Sequence, residues 1–117
     1  MTPKTDRQTA QHYSWGAGCD GWHLLQTPAL SVIEERMPAG ASEVRHSHRA
    51  ATQFFYVLDG TLSIEVSGDE YLLGKGQGVA VGAGQAHRVR NLSGADAGFL
   101  VVSSPPSHGD RVLEPEL

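Results

Sequence analysis

From Trp22 onward, apolar and polar residues alternate over short runs that Gly, Pro, Asn, Asp and Ser interrupt. A period of two sends successive side chains to opposite faces, so each run reads as a strand with one buried face. The pattern predicts strands over 22–25, 30–37, 43–48, 53–58, 61–66, 70–73, 87–91 and 98–103. Residues 53–58 are the strongest of these, because Phe54, Phe55, Tyr56 and Val57 are all good strand formers. Asp59-Gly60 and Ser67-Gly68 are hairpin signals between alternating runs. In 61–66, Leu62, Ile64 and Val66 share one face, while Ser63 and Glu65 take the other. For the last run, Leu100 and Val102 or else Phe99 and Val101 face inward; alternation alone supports both. No window carries a helical stripe longer than about ten residues. Many short strands with regular turns imply an all-β sandwich or small barrel.

The strand pattern divides the chain into an N-terminal arm over 1–20, a β-barrel over 21–104 and a C-terminal tail over 105–117. At 117 residues this is one domain with room for a single core. The arm is polar, with Tyr13 and Trp15 as anchors onto the domain or a second copy. The tail is polar and is expected to dock on the surface or fray. Formal net charge is -4, which gives no electrostatic support for nucleic-acid binding. No run approaches the length of a membrane-spanning helix, and no apolar leader opens the chain. The expectation is a cytoplasmic protein with neither nucleic acid nor membrane as partner. Cys19 is the one cysteine, which excludes an intrachain disulfide; a buried free thiol is its ordinary role.

His46 and His48 stand two apart, so a strand puts both on one face. Gln53, Phe55 and Val57 share a face of the next strand, and His87, Val89 and Asn91 share a face of another. If these faces line a barrel, three imidazoles converge on an apolar wall. Imidazole suits zinc, copper, iron and nickel, and such ions take three or four ligands of this kind. His12, His23 and His108 lack this pattern and read as surface or partly buried histidines.

The spacing also resembles a family, the cupins. Their first motif is matched by Gly40, His46, His48, Gln53 and Gly60, and their second by Gly76, Gly82, Gly84, His87 and Asn91. Two positions depart: Gln53 replaces the usual glutamate, and Gly82 the usual proline. The resemblance implies a double-stranded β-helix, or jelly-roll barrel, that pairs as a homodimer. It also implies one divalent transition metal (Zn, Ni, Fe, Mn or Cu) held by His46, His48, Gln53 and His87. An amide in place of the carboxylate leaves the ion its full charge, weakens its retention and removes a candidate general base.

An open position on the metal would face a small-molecule ligand in the barrel. Phe55 is the first candidate for the pocket wall, followed by Trp22, Tyr71 and Phe99. The family then implies a metal-dependent enzyme of dioxygenase, isomerase or lyase type acting on a small organic molecule. The alternatives are a non-catalytic binding or sensor module and a sugar-processing cupin. The last would need inward-facing basic residues, which the pattern does not supply. Glu34 and Glu35 are adjacent and should face opposite ways, so no carboxylate pair stands out. No catalytic acid or base can be named from the sequence.

Overall fold

A computed structural model describes residues 3–117. The strands are β1 (Gln11–Trp15), β2 (Cys19–Gln26), β3 (Ser31–Met37), β4 (His46–His48), β5 (Thr52–Asp59), β6 (Leu62–Val66), β7 (Asp69–Leu73), β8 (Gly78–Val81), β9 (His87–Arg90), β10 (Ala97–Ser104) and β11 (Arg111–Leu113). They form two antiparallel sheets, one ordered β1-β2-β3-β10-β5-β8 and the other β11-β4-β9-β6-β7. The described residues contain no helix. This is the expected jelly-roll arrangement, with its core between the sheets.

Alternation selects what enters that core. Phe55 and Val57 of β5 are buried while Phe54 and Tyr56, on the outer face, stay exposed. On β10, Phe99 and Val101 point inward, opposite Val57 and Phe55, which resolves the choice that the pattern left open. Leu62, Ile64, Val66 and Val89 meet them from the other sheet. The Ser67-Gly68 turn has positive φ at both residues (51° and 93°), the twist-matched geometry of a two-residue hairpin. It sets Val66 opposite Asp69.

Strands form in both the arm and the tail, and the tail takes the docked of its two expected courses. Residues 11–15 of the anticipated arm form β1, paired with β2 in register Tyr13↔Gly21 and Trp15↔Cys19. In the tail, β11 adds to the edge of β4, with Arg111 opposite His48 and Leu113 opposite His46. The polarity of these segments hid strands that half-bury one side and expose the other. Ser63 and Glu65 do face away from the core, yet are buried too. Arg45 covers Glu65, and its guanidinium also donates to the Pro115 carbonyl in the tail.

Candidate metal centre

β4 and β9 pair with His46 directly opposite His87, and the two-residue spacing brings His48 to the same face. The ligand-competent ring nitrogens of the three histidines lie within 4.8 Å of one another, and all three residues are buried. Each Nδ1 has an acceptor: Val44 O at 2.8 Å from His46, Gln85 O at 3.0 Å from His87, and Asp110 Oδ1 at 2.7 Å from His48. These partners assign the proton to Nδ1 and leave Nε2 as the lone-pair donor, the tautomer that a metal-binding imidazole requires. The Nε2 of His87 is buried without a hydrogen-bond partner. Burial, and then the charges of its neighbours, push His46 down to about 4 and His87 in the same direction, against the pull of their backbone acceptors.

Gln53 is buried on β5, facing the same cavity. Its Nε2 donates to Ser103 Oγ at 3.0 Å, so the amide is oriented with Oε1 free, and Oε1 is buried with no partner. An unpartnered buried acceptor costs free energy unless a ligand satisfies it. Three Nδ1-anchored imidazoles and one orphaned amide oxygen therefore fit a divalent cation by number, charge and donor type.

His46, His48 and Gln53 line a cavity of about 250 Å³. Phe55 lines it, with its ring edge-on to His87 at 5.9 Å between centroids. The other three pocket candidates do not line it. Phe99 is fully buried behind Phe55, 6.5 Å between ring centroids. Trp22 lies under the Arg7 guanidinium and beside the His12 ring. Tyr71 is exposed on β7, an edge strand. Aromatic character marked all four, but position selects Phe55 alone.

The cavity also holds residues that the sequence did not assign to the site. Glu35, Glu43 and Arg111 line it, as do Tyr13 and Trp15 of β1. Burial, followed by the charge of Glu43, pushes Glu35 up to about 8; the nearby Trp15 indole partly opposes this. Burial likewise pushes Glu43 up to about 7, although Oε1 accepts a hydrogen bond from Val89 N at 2.9 Å and Arg111 pulls the other way. Two carboxylates that Gln53 does not supply thus reach the cavity from β3 and from the β3–β4 connection. Alternation carried a signal for Glu35, which shares a face with Ile33 and Met37. Asp110 had none, because its role depends on the tail folding back. Burial raises the Asp110 carboxyl, but hydrogen bonds from Ala50 N and Ala51 N, and the contact with His48, outweigh it and hold it below the usual carboxylate range.

Known proteins place this arrangement in a family. The chain is 30% identical over 66 residues to the tetracenomycin polyketide synthase protein TcmJ of Streptomyces glaucescens. The match covers 56% of this chain and 44% of that protein, so the chain spans less than half the length of that relative. Among solved structures, TT1209 from Thermus thermophilus is 29% identical, with a TM-score of 0.68 over 71% of this chain and 79% of that one. The polyketide cyclase RemF from Streptomyces resistomycificus shares the fold at 18% identity, with a TM-score of 0.82 over 99% of this chain and 89% of that one. A family model described as the cupin domain matches residues 33–103. Well over half of the chain, including all four candidate ligands, lies in that match, and the protein belongs to the cupin family.

Proposed function

We propose that this cupin is a metal-dependent enzyme that moves protons on a small oxygen-bearing organic molecule, in the manner of an isomerase, lyase or cyclase. The carrying observation is that all three histidines are anchored at Nδ1 and converge at a cavity that Glu35 and Glu43 also line. His46, His48, His87 and the Gln53 amide oxygen would hold the ion. A divalent transition metal bound there supplies Lewis-acid polarisation of a substrate oxygen. With neutral ligands its charge stays near +2, which favours an anionic oxygen on the substrate. Glu35 and Glu43 line the same cavity, and burial, with the charge of Glu43 on Glu35, raises both carboxyls, which suits them to proton transfer. Phe55 and Val101 keep one wall of the cavity apolar. The TcmJ relative, named for a polyketide synthase, supports an oxygenated organic substrate.

Elemental analysis of protein purified without chelator tests this reading. The expected result is about one first-row divalent metal per chain, retained by wild type and lost in His87→Ala with the fold intact by circular dichroism. Zinc would fit the proton-transfer chemistry, whereas iron or copper would shift it toward oxygen chemistry. Wild-type protein that holds no metal after loading and desalting would overturn the proposal.

A further inference from the structure

Beside the metal cavity lies a second and larger one, of about 710 Å³. It runs along β1, β2 and the start of β3, and Pro106, Ser107 and His108, after β10, complete its lining. Tyr13, Ile33 and Ser107 line both cavities. The Tyr13 ring is held in this shared wall by packing on the β2 backbone: a Cβ built at Gly21 would lie 2.2 Å from Tyr13 Cζ. The wall is therefore a fixed part of the fold.

The two cavities differ in chemistry. The smaller one has charged walls in Glu35, Glu43 and Arg111, besides His46 and His48. None of the eleven residues lining the larger one is Asp, Glu, Lys or Arg. Pro28, Ile33 and Pro106 give it apolar surface, while Gln26 and Ser31 offer neutral hydrogen-bonding groups. His23 also lines it, 4.8 Å from the Tyr13 ring, with a buried Nδ1 that has no partner. A phosphate or a carboxylate would find no lysine or arginine there, only the imidazoles of His23 and His108. A compact diacid or sugar would leave the space unfilled.

We infer that the larger cavity is a subsite for the neutral body of an extended ligand, mainly apolar and carrying hydroxyl or carbonyl groups, whose oxygen-donor head sits at the metal centre. The inference rests on the proposed metal function and adds the substrate class. Tyr13 and Ile33 are then specificity residues, because the ligand crosses them between head and body.

Two probes that share a head group separate the claims. Acetohydroxamate presents the oxygen donors alone, and 2-naphthohydroxamate adds a flat apolar body. Their dissociation constants are measured by calorimetry on zinc-loaded full-length protein, for wild type and for the cavity-filling variants His108→Trp and Gln11→Trp. Both substitutions lie outside the metal cavity. The naphthyl probe should bind wild type about tenfold or more tightly than acetohydroxamate, given the apolar area that its body buries. Each filling variant should remove most of that advantage and leave acetohydroxamate unchanged. Equal binding of the two probes to wild type, or an advantage that survives both variants, overturns the subsite. Failure of both probes to bind overturns the metal centre itself, and the two-part ligand with it.

Discussion

Residues 45–48 place two kinds of buried polar group on opposite faces of one short segment. On one face, Arg45 donates to both carboxylate oxygens of Glu65, at 2.7 and 3.1 Å, and Ser47 Oγ donates to Glu114 at 2.7 Å. The Arg45 and Glu65 side chains are 9% and 1% exposed, so the pair is buried and fully engaged. On the other face, His46 and His48 satisfy only Nδ1 and turn Nε2 toward His87, whose own Nε2 has no partner. Buried polar groups are ordinarily all paired. Arg45 and Glu65 complete each other, whereas the histidines and Gln53 are complete only with something added. That incompleteness separates the functional face from the structural one, since both are equally buried.

Breaking the completed face should cost the most. Arg45→Met leaves the Glu65 carboxylate buried with only the Gly68 N–H, and we expect a loss of about 3–5 kcal/mol in urea unfolding of metal-free protein. Arg45 holds Glu65 below the usual carboxylate range, with Gly68 N assisting against burial. That contribution is therefore present above the unfolded-state pKa and fades as pH falls through the lower folded value. The double variant Arg45→Met, Glu65→Leu should regain much of the loss, because no charge is then left unpaired. A single variant costing no more than an ordinary surface change of about 0.5 kcal/mol would contradict the contrast.

The next effect belongs to the cavity and has the opposite sign with pH. Glu35 lies near Glu43, Tyr13 and Cys19 and shares the cavity with His46, His48 and Arg111, and no ion pair to it is found among the described residues. Its folded pKa, near 8, lies above the unfolded value, so the folded state keeps a proton that the unfolded chain releases. Stability is then highest below about 4.5 for this group and is lost as pH rises through about 8. Glu35→Gln should remove that dependence. Metal-free Glu35→Gln should gain on wild type between pH 5 and 9, by on the order of 2 kcal/mol. Parallel melting-temperature profiles across that range would mean that Glu35 ionises as freely as a surface carboxylate.

The smallest effect sharpens the ligand set. Gln53→Glu supplies an anionic oxygen at the orphaned acceptor, and Ser103 Oγ can turn to donate to it. We expect metal affinity to rise about tenfold, in line with changes around metal ligands, measured by competition with a chromophoric chelator. Equal retention by both forms would remove Gln53 from the ligand set and leave the three histidines alone.

Local pattern was enough to determine the all-β class and the inward faces of β5, β6 and β9, and the resemblance of the motif spacing to the cupins supplied the four candidate ligands. Those features follow from a period of two and from short-range spacing, which the chain carries residue by residue. Which aromatic reaches the cavity, by contrast, was decided between strands. Phe55, Phe99, Trp22 and Tyr71 have similar local signatures, and only sheet order separates wall from core and surface. The same holds for Glu35, Glu43 and Arg111, brought together from three segments, and for β1 and β11, whose polar sequences hide strands with one half-buried side. Asp110, which orients His48 across 62 positions, shows why. A contact between distant segments leaves no periodic trace in either one. It exists only once the sheets have closed.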